Sequence, residues 1–346
     1  MSNRKRARIV AKLLDEKNLG CGKLSARFSI APELFSFLQP LGGFMQRTLI
    51  ALGVLAALVA CGKQEESTPV ASEPVATPAS QTPAAVVSTP PQAAQTAVDV
   101  AALLDQALAG SHRSEANKAR DGFRHPKETL VFFGLQPSFT VVEITPGGGW
   151  FSEILGPVLK DGKHIAAIVD PATASNDRAR EYYGKNLEDY KAKISADAAN
   201  YAKTEVLTFD VKAPNFGAAG SADMVVTFRN VHNWRENKPA MFKAFFDVLK
   251  PGGVLGVEEH RANVGSDPAQ ASEKGYMLTA DVIKLATDAG FQLAGESEIN
   301  ANTLDTKDHP EGVWNLPPTL AGGDKDREKY VAIGESDRMT LRFVKP

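Results

Sequence analysis

The segment VVEITPGGGWFSEIL at 141–155 constrains the fold more than any other part of the chain. A β-branched run carries one carboxylate, Glu143, reaches Thr145, turns on Pro146 and three glycines, and continues with the apolar spacing of an amphipathic helix. Strand, glycine turn and helix in that order form the layout of a nucleotide site. Glycine lets a ligand approach the backbone closely, and the first helical turn offers unpaired N–H groups to it. The glycines by themselves select no particular ligand.

The rest of the carboxyl-terminal region repeats this alternation. Strands are expected at 141–144, 164–169, 205–209, 224–228, 254–257, 292–298 and 339–344. Helices are expected at 99–108, 125–134, 151–159, 177–195, 241–249 and 279–288, with Pro126 near a helix start and Thr279 as a cap. Short apolar strands between amphipathic helices predict an α/β fold with a doubly wound, mostly parallel, Rossmann-like sheet. Its crevice then lies at the carboxyl ends of the strands. Glu143, Asp170, Asp210, Arg229 to His232 and Glu258 to Arg261 close successive strands there, and five polar strand ends on one rim are hard to explain by packing alone.

The amino-terminal part has a different character. Residues 48–60 read TLIALGVLAALVA and end at Cys61, a run too short for a comfortable membrane span. Leu58-Val59-Ala60-Cys61 resembles the cleavage box of bacterial lipoproteins, in which the cysteine is lipidated and becomes the first mature residue. Gly62, where aspartate would signal inner-membrane retention, implies for a Gram-negative cell an outer-membrane anchor facing the periplasm. Met45-Gln46-Arg47 supplies the basic start of a signal peptide at 45–60. Residues 1–44, with Arg4, Lys5, Arg6 and Arg8, are then either a non-native preface or an extended basic region. Residues 61–97 are rich in proline, alanine, serine and threonine without apolar periodicity, the composition of a disordered tether. From 98 to 346 the length suits a single α/β domain, read as monomeric. With 39 Lys and Arg against 41 Asp and Glu, the chain has no basic surplus for a nucleic-acid partner. Its 2 cysteines, Cys21 in the preface and Cys61 at the lipidation box, leave the domain without a disulfide or a thiol nucleophile.

From about Phe123 onward the chain resembles class I S-adenosylmethionine-dependent methyltransferases, and more narrowly the exported methyltransferase-like proteins of bacteria. The family's first motif, an acid followed by a glycine-rich loop, matches Glu143 and Pro146-Gly147-Gly148-Gly149. Its ribose-binding acid matches Asp170, and Asp210 lies near its adenine-binding position. ADMVVTFRNVHNW at 222–234 matches the fourth-strand motif, LKPGGVLGVEEHR at 249–261 the turn into strand five, and Ser336-Asp337-Arg338 with the closing FVKP the narrower group. The resemblance implies a seven-stranded sheet and a site for S-adenosylmethionine contacted by Glu143, Thr145, Pro146, Gly147, Gly149, Asp170, Asp210 and Arg229. Thr145 departs from the pattern, because the family usually places glycine there and a β-branched residue resists positive φ.

The residue chemistry leaves several roles open. Asp170 either accepts both hydroxyls of a ribose or caps the following turn. Glu143 either accepts N–H bonds from the glycine loop or contacts the amino-acid end of the cofactor indirectly. Trp150 packs in the core or over the ligand. Among Arg229, Asn230, His232 and Trp234, His232 is the candidate base for an oxygen nucleophile and Asn230 a positioning residue; the alternative is that both only brace the loop. No metal site is expected: strand alternation points Glu259 and Arg261 away from Glu258 and His260, although His232, His260 and one carboxylate across strands four and five would be the donor set if one existed. Ordinary pairing of Glu258 or Glu259 with Arg229 or Arg261 is the simpler expectation. His112, His125, His164 and His309 are read as surface or local packing residues. The polar stretches 262–276 and 301–329 are read as a lid with Tyr276 near its hinge and a cover over the sheet edge, or as surface excursions.

Two functions follow from these readings. One is a membrane-anchored methyltransferase acting on a small molecule or envelope component. The alternative is a non-catalytic, membrane-anchored binding protein that keeps the fold, because S-adenosylmethionine is made in the cytoplasm. A nicotinamide-linked oxidoreductase fits the sheet, but the chain lacks a GxGxxG turn and a Tyr-x-x-x-Lys pair near the fourth strand.

Overall fold

β1 (Thr140–Ile144) is covered on both faces, which is why it reads as an apolar run broken by a single carboxylate. Val142 and Ile144 join one layer, with Phe242, Phe245 and Leu255. Val141 joins the other, with Leu104, Leu130, Phe133 and Ile154. Glu143 shares the face of Val141 by the two-residue period of the strand.

The computed structural model describes residues 99–346. β1 is followed by β2 (Lys163–Val169), β3 (Thr204–Phe209), β4 (Ala222–Phe228), β5 (Leu249–His260), β6 (Gln292–Ser297) and β7 (Arg338–Val344). They form one sheet in the order β3-β2-β1-β4-β5-β7-β6. β1 to β5 pair in parallel, and β7 runs antiparallel between β5 and β6. This is the seven-stranded, mostly parallel, doubly wound sheet expected. The chain winds outward from β1 to β3 and then resumes on the other side at β4, so the switch point lies between β1 and β4.

The helices form for local reasons and dock for apolar ones. Asp99 caps Val100–Ala109 by accepting the N–H groups of Ala101 and Ala102. Pro126 opens Pro126–Phe133, as its missing N–H allows. Lys238–Val248 buries Met241, Phe242, Phe245 and Val248 along one stripe. At Gly256 a Cβ would lie 2.5 Å from the Phe133 ring, so only glycine lets the helix Pro126–Phe133 reach β5.

Two expectations need correction. Thr279 does not cap its helix; it is the first residue of Thr279–Asp288, and Leu278 stands at the cap without a side-chain bond. Residues 262–276 are not wholly outside a core, because Tyr276, Ala262 and Ala271 bury a small cluster with Val313. Tyr276 also donates its hydroxyl to Asp305. Part of the 301–329 stretch reaches the candidate crevice. Val313, Trp314 and Pro317 line a cavity with Gly147 and His260, at the carboxyl-end rim. The preface at 1–44, the signal segment at 45–60, Cys61 and the tether lie outside the described residues. Among the described residues, no helix is long and apolar enough to cross a membrane.

Candidate functional site

The turn after β1 carries unusual backbone. Thr145 has φ +50°, Gly147 +57° and Gly149 +74°. Glycine adopts this region freely, whereas an L residue held there costs about 1–2 kcal/mol. Thr145 is fixed by its N–H to Ala167 O (2.8 Å), and its Oγ1 is buried without a hydrogen-bond partner. A Cβ on Gly147 would meet nothing within 4 Å, so the turn opens on free space.

Two cavities meet at this turn. One, of about 460 Å³, runs from Thr145 and Gly147 past Val169 and Thr173 to Asp210. The other, of about 500 Å³, runs from the same residues past Arg229 to His232, His260 and Trp314. Thr145, Gly147, Tyr182, Asn230 and Asn233 belong to both. Pro146 lines the second only. A third cavity of about 610 Å³ lies across His232 and Trp314 from these, among Arg235, Lys238 and Met277.

The predicted residues divide between this crevice and its support. Glu143 is turned inward and 1% exposed. It accepts Ser152 Oγ–H (2.6 Å) and pairs with His164 Nε2 (3.0 Å), while Tyr190 donates to Ser152 Oγ (3.0 Å). It therefore bonds no N–H of the glycine loop, contrary to the first role expected of it, and it lines neither cavity itself. Its place on the face of Val141 puts it under the helix Ser152–Val158. His164, expected at the surface or in local packing, is a fully buried part of this chain of bonds. Asp170 caps the turn Pro171–Thr173 through Ala172 N (2.9 Å), the second of the roles left open for it, and does not itself line the cavity. Asp210 does, with Oδ1 accepting Lys212 N–H. Gly149 faces Tyr190 and Lys193 at 3.2–3.3 Å from where its Cβ would be. It shapes the helix entry without lining either cavity.

On the opposite side of the switch point, Asn230 donates from Nδ2 to Ile144 O (2.9 Å), tying the end of β4 to the end of β1. His232 is buried, with Nδ1 2.9 Å from Glu259 Oε1. Glu259 also accepts Val231 N–H at Oε2 (2.5 Å) and His260 N–H at Oε1 (2.8 Å). The carboxylate acts only as an acceptor in these contacts, so His232 donates this bond from Nδ1–H. Trp234, by contrast, packs edge-on against Phe242 and Phe245.

Donor atoms of His232, Glu259 and His260 lie within 4.8 Å of one another. Alternation predicted Glu259 and His260 apart, but the Glu259 carboxylate folds back onto the His260 N–H. The set has the composition of a metal site, yet Glu259 is already held by three donors. Burial first, then His232, Arg229, Arg338 and Arg124, hold the His260 imidazole well below its ordinary pKa. That positive surrounding opposes a cation as it opposes the proton.

Arg229 continues the strain, with φ +60°. Its Nη1 donates to Glu258 Oε1 (2.7 Å), the pairing expected, whereas Arg261 binds Glu298 and Asp337 instead. Trp150 is buried as the core reading had it, with Nε1–H donated to Asn117 O and the Arg124 guanidinium 4.7 Å from its ring, but it also lines the second cavity. Sequence reasoning missed Arg120, Arg124, Glu335 and Trp314. The i, i+4 spacing of Arg120 and Arg124 before a strand rim was the one available signal.

No family model matches the sequence, and no curated protein matches it. Among solved structures, the chain is similar to a SAM-dependent methyltransferase from Aquifex aeolicus, with 14% identity over 66% of this chain and 93% of that one (TM-score 0.43). It is also similar to the [4+2]-cyclase SpnF, with 14% identity over 72% and 93% (TM-score 0.47). A SAM-dependent methyltransferase from Mesorhizobium loti shows 13% identity over 63% and 97% (TM-score 0.40).

Proposed function

We infer that this domain binds S-adenosylmethionine in the cavity between Gly147 and Asp210 and methylates a small molecule or envelope component held beside His232, as a member of the exported bacterial methyltransferase-like group. One observation carries the reading: two separate compartments of ligand size share a single wall, the Thr145-to-Gly147 turn with Asn230, at the switch point of the sheet. A group-transfer enzyme needs that arrangement, with donor and acceptor on either side of a common point.

The residues fit the cofactor. Gly147 leaves open space where a side chain would intrude, Thr145 Oγ1 is a buried hydroxyl in need of a partner, and Asp210 faces the compartment that would take the nucleoside. When bound, S-adenosylmethionine supplies a methyl group already activated by its sulfonium, so alignment is the protein's main contribution. Asn230 holds the two strand ends at a fixed separation. For an oxygen acceptor, His232 takes up the released proton at Nε2, while Glu259 fixes the tautomer and orientation of the ring. Arg229, on the acceptor side of the turn, serves the acceptor more directly than the nucleoside. We place the domain as a monomer on the outer membrane through lipidated Cys61, facing the periplasm.

The second reading, a membrane-anchored binding protein without turnover, is favoured by Thr145 in place of glycine and by the Asp170 carboxylate being engaged as a cap. Saturation binding of S-adenosylmethionine and S-adenosylhomocysteine to the purified full chain, with Asp210→Ala as control, tests both. Saturable binding weakened by the substitution, with methyl release, supports the enzyme. Binding without release supports the second reading, and no binding by folded protein removes the first.

A further inference from the structure

Three guanidiniums, those of Arg120, Arg124 and Arg229, face the cavity beside His232, against the single carboxylate of Glu335. The pairing behind this wall does not even the balance. Glu335 is shared by Arg120 (Nε to Oε1, 2.7 Å), Arg124 (Nε to Oε2, 2.8 Å) and Arg338 (Nη1 to Oε2, 2.9 Å). Glu258 is shared by Arg229 (2.7 Å) and Arg338 (3.0 Å). Glu259, the next carboxylate, is committed to His232 and two backbone N–H groups.

The guanidiniums also keep donors unused. Arg124 is only 5% exposed, and among the described residues it donates hydrogen bonds only from Nε, to Glu335. Arg120 Nη2 is buried without a partner. A buried guanidinium with idle N–H groups is costly unless something accepts from them, and its planar fork matches a carboxylate or phosphate. The wall is held in place with strain: Arg229 sits at φ +60° while its N–H binds Glu258 O at 2.7 Å.

We propose that this arginine-lined compartment binds a methyl acceptor bearing a carboxylate or phosphate group, which the guanidiniums of Arg120, Arg124 and Arg229 hold while the atom to be methylated lies beside His232. Trp314, lining the same cavity edge-on to His232, gives the rest of the acceptor an apolar surface. The word acceptor rests on the methyl-transfer reading; the anion site does not. The competing source of the same chemistry is the carboxylate at the amino-acid end of the cofactor, because both compartments meet at Gly147.

Calorimetric titration at constant ionic strength separates the two. Inorganic phosphate and acetate are titrated into the full chain, alone and saturated with S-adenosylhomocysteine, and S-adenosylhomocysteine is compared with methylthioadenosine, which lacks the amino-acid end. Phosphate is expected to bind equally well with the nucleoside present. Arg124→Gln and the more exposed Arg120→Gln are each expected to weaken phosphate about tenfold and to leave S-adenosylhomocysteine within about twofold. Absence of anion binding to the saturated wild-type protein overturns the proposal without requiring any variant. Loss of S-adenosylhomocysteine affinity in the variants, with methylthioadenosine unaffected, also overturns it by assigning the arginines to the cofactor. Arginine-dependent phosphate binding in a chain that binds neither nucleoside keeps the anion site and removes the methyl-transfer reading.

Discussion

Glu259 Oε1 accepts the Nδ1 proton of His232 at 2.9 Å, across the loop that joins β4 to the following helix. The carboxylate is fully buried and receives two backbone N–H groups as well, so it cannot turn away from the imidazole without leaving those donors unpaired. The ring is therefore presented to the cavity in a single tautomer.

Glu259→Gln tests this arrangement. A carboxamide can donate to Nδ1, so the ring loses its bias toward the Nδ1–H form. NMR of the imidazole nitrogens should show a shift toward the Nε2–H tautomer. Methyl transfer to an oxygen acceptor should fall about 100-fold with S-adenosylhomocysteine affinity preserved, the scale of a lost general base. An unchanged tautomer removes Glu259 as the orienting group.

Thr145→Gly should stabilise the fold by roughly 1 kcal/mol or less. It relieves a positive φ and removes a buried hydroxyl without a partner, offset by the greater freedom of glycine in the unfolded chain. Urea unfolding measures it. A clear loss of stability would mean that the threonine side chain contributes packing that outweighs the strain.

Acid should weaken the domain in two stages. Burial pushes the His260 pKa down from 6.5, and the neighbouring cations push it further, so below about pH 6.5 the unfolded state binds a proton that the folded state does not. Stability is whole above that value and erodes as pH falls. At Glu335 burial opposes ionisation, but Arg124, Arg338 and Arg120 overcome it and hold the carboxyl at about 2 against an ordinary 4.5. Its contribution, roughly 3 kcal/mol, is present above about pH 5 and disappears as pH approaches 2. Unfolding curves across this range should flatten above pH 5 in His260→Gln and below it in Glu335→Gln, and identical slopes in all three proteins would contradict the assignment.

Cys61→Ala should abolish incorporation of labelled palmitate and move the protein from the membrane to the soluble fraction. Retained labelling would locate the anchor elsewhere in the chain.

The architecture was legible from short-range periodicity. Apolar runs of strand length at 141–144, 164–169 and 224–228, punctuated by glycine and proline turns, required a buried parallel sheet, and a parallel sheet places its strand ends on one rim. The Thr145-to-Gly149 turn, the crevice beside it and the presence there of Asn230 and His232 were legible for that reason. Which polar side chains face the crevice was decided only by tertiary structure. Glu143 went inward because a helix covers its face of β1, and Asp170 turned to cap its own backbone. Glu259 reached His232 because β4 and β5 pair with Phe228 opposite Glu258. Arg120 and Arg124 met Glu335 across more than two hundred residues. Contacts of that span leave no local pattern: they arise when the two layers of helices pack on the sheet and bring distant charges to one wall.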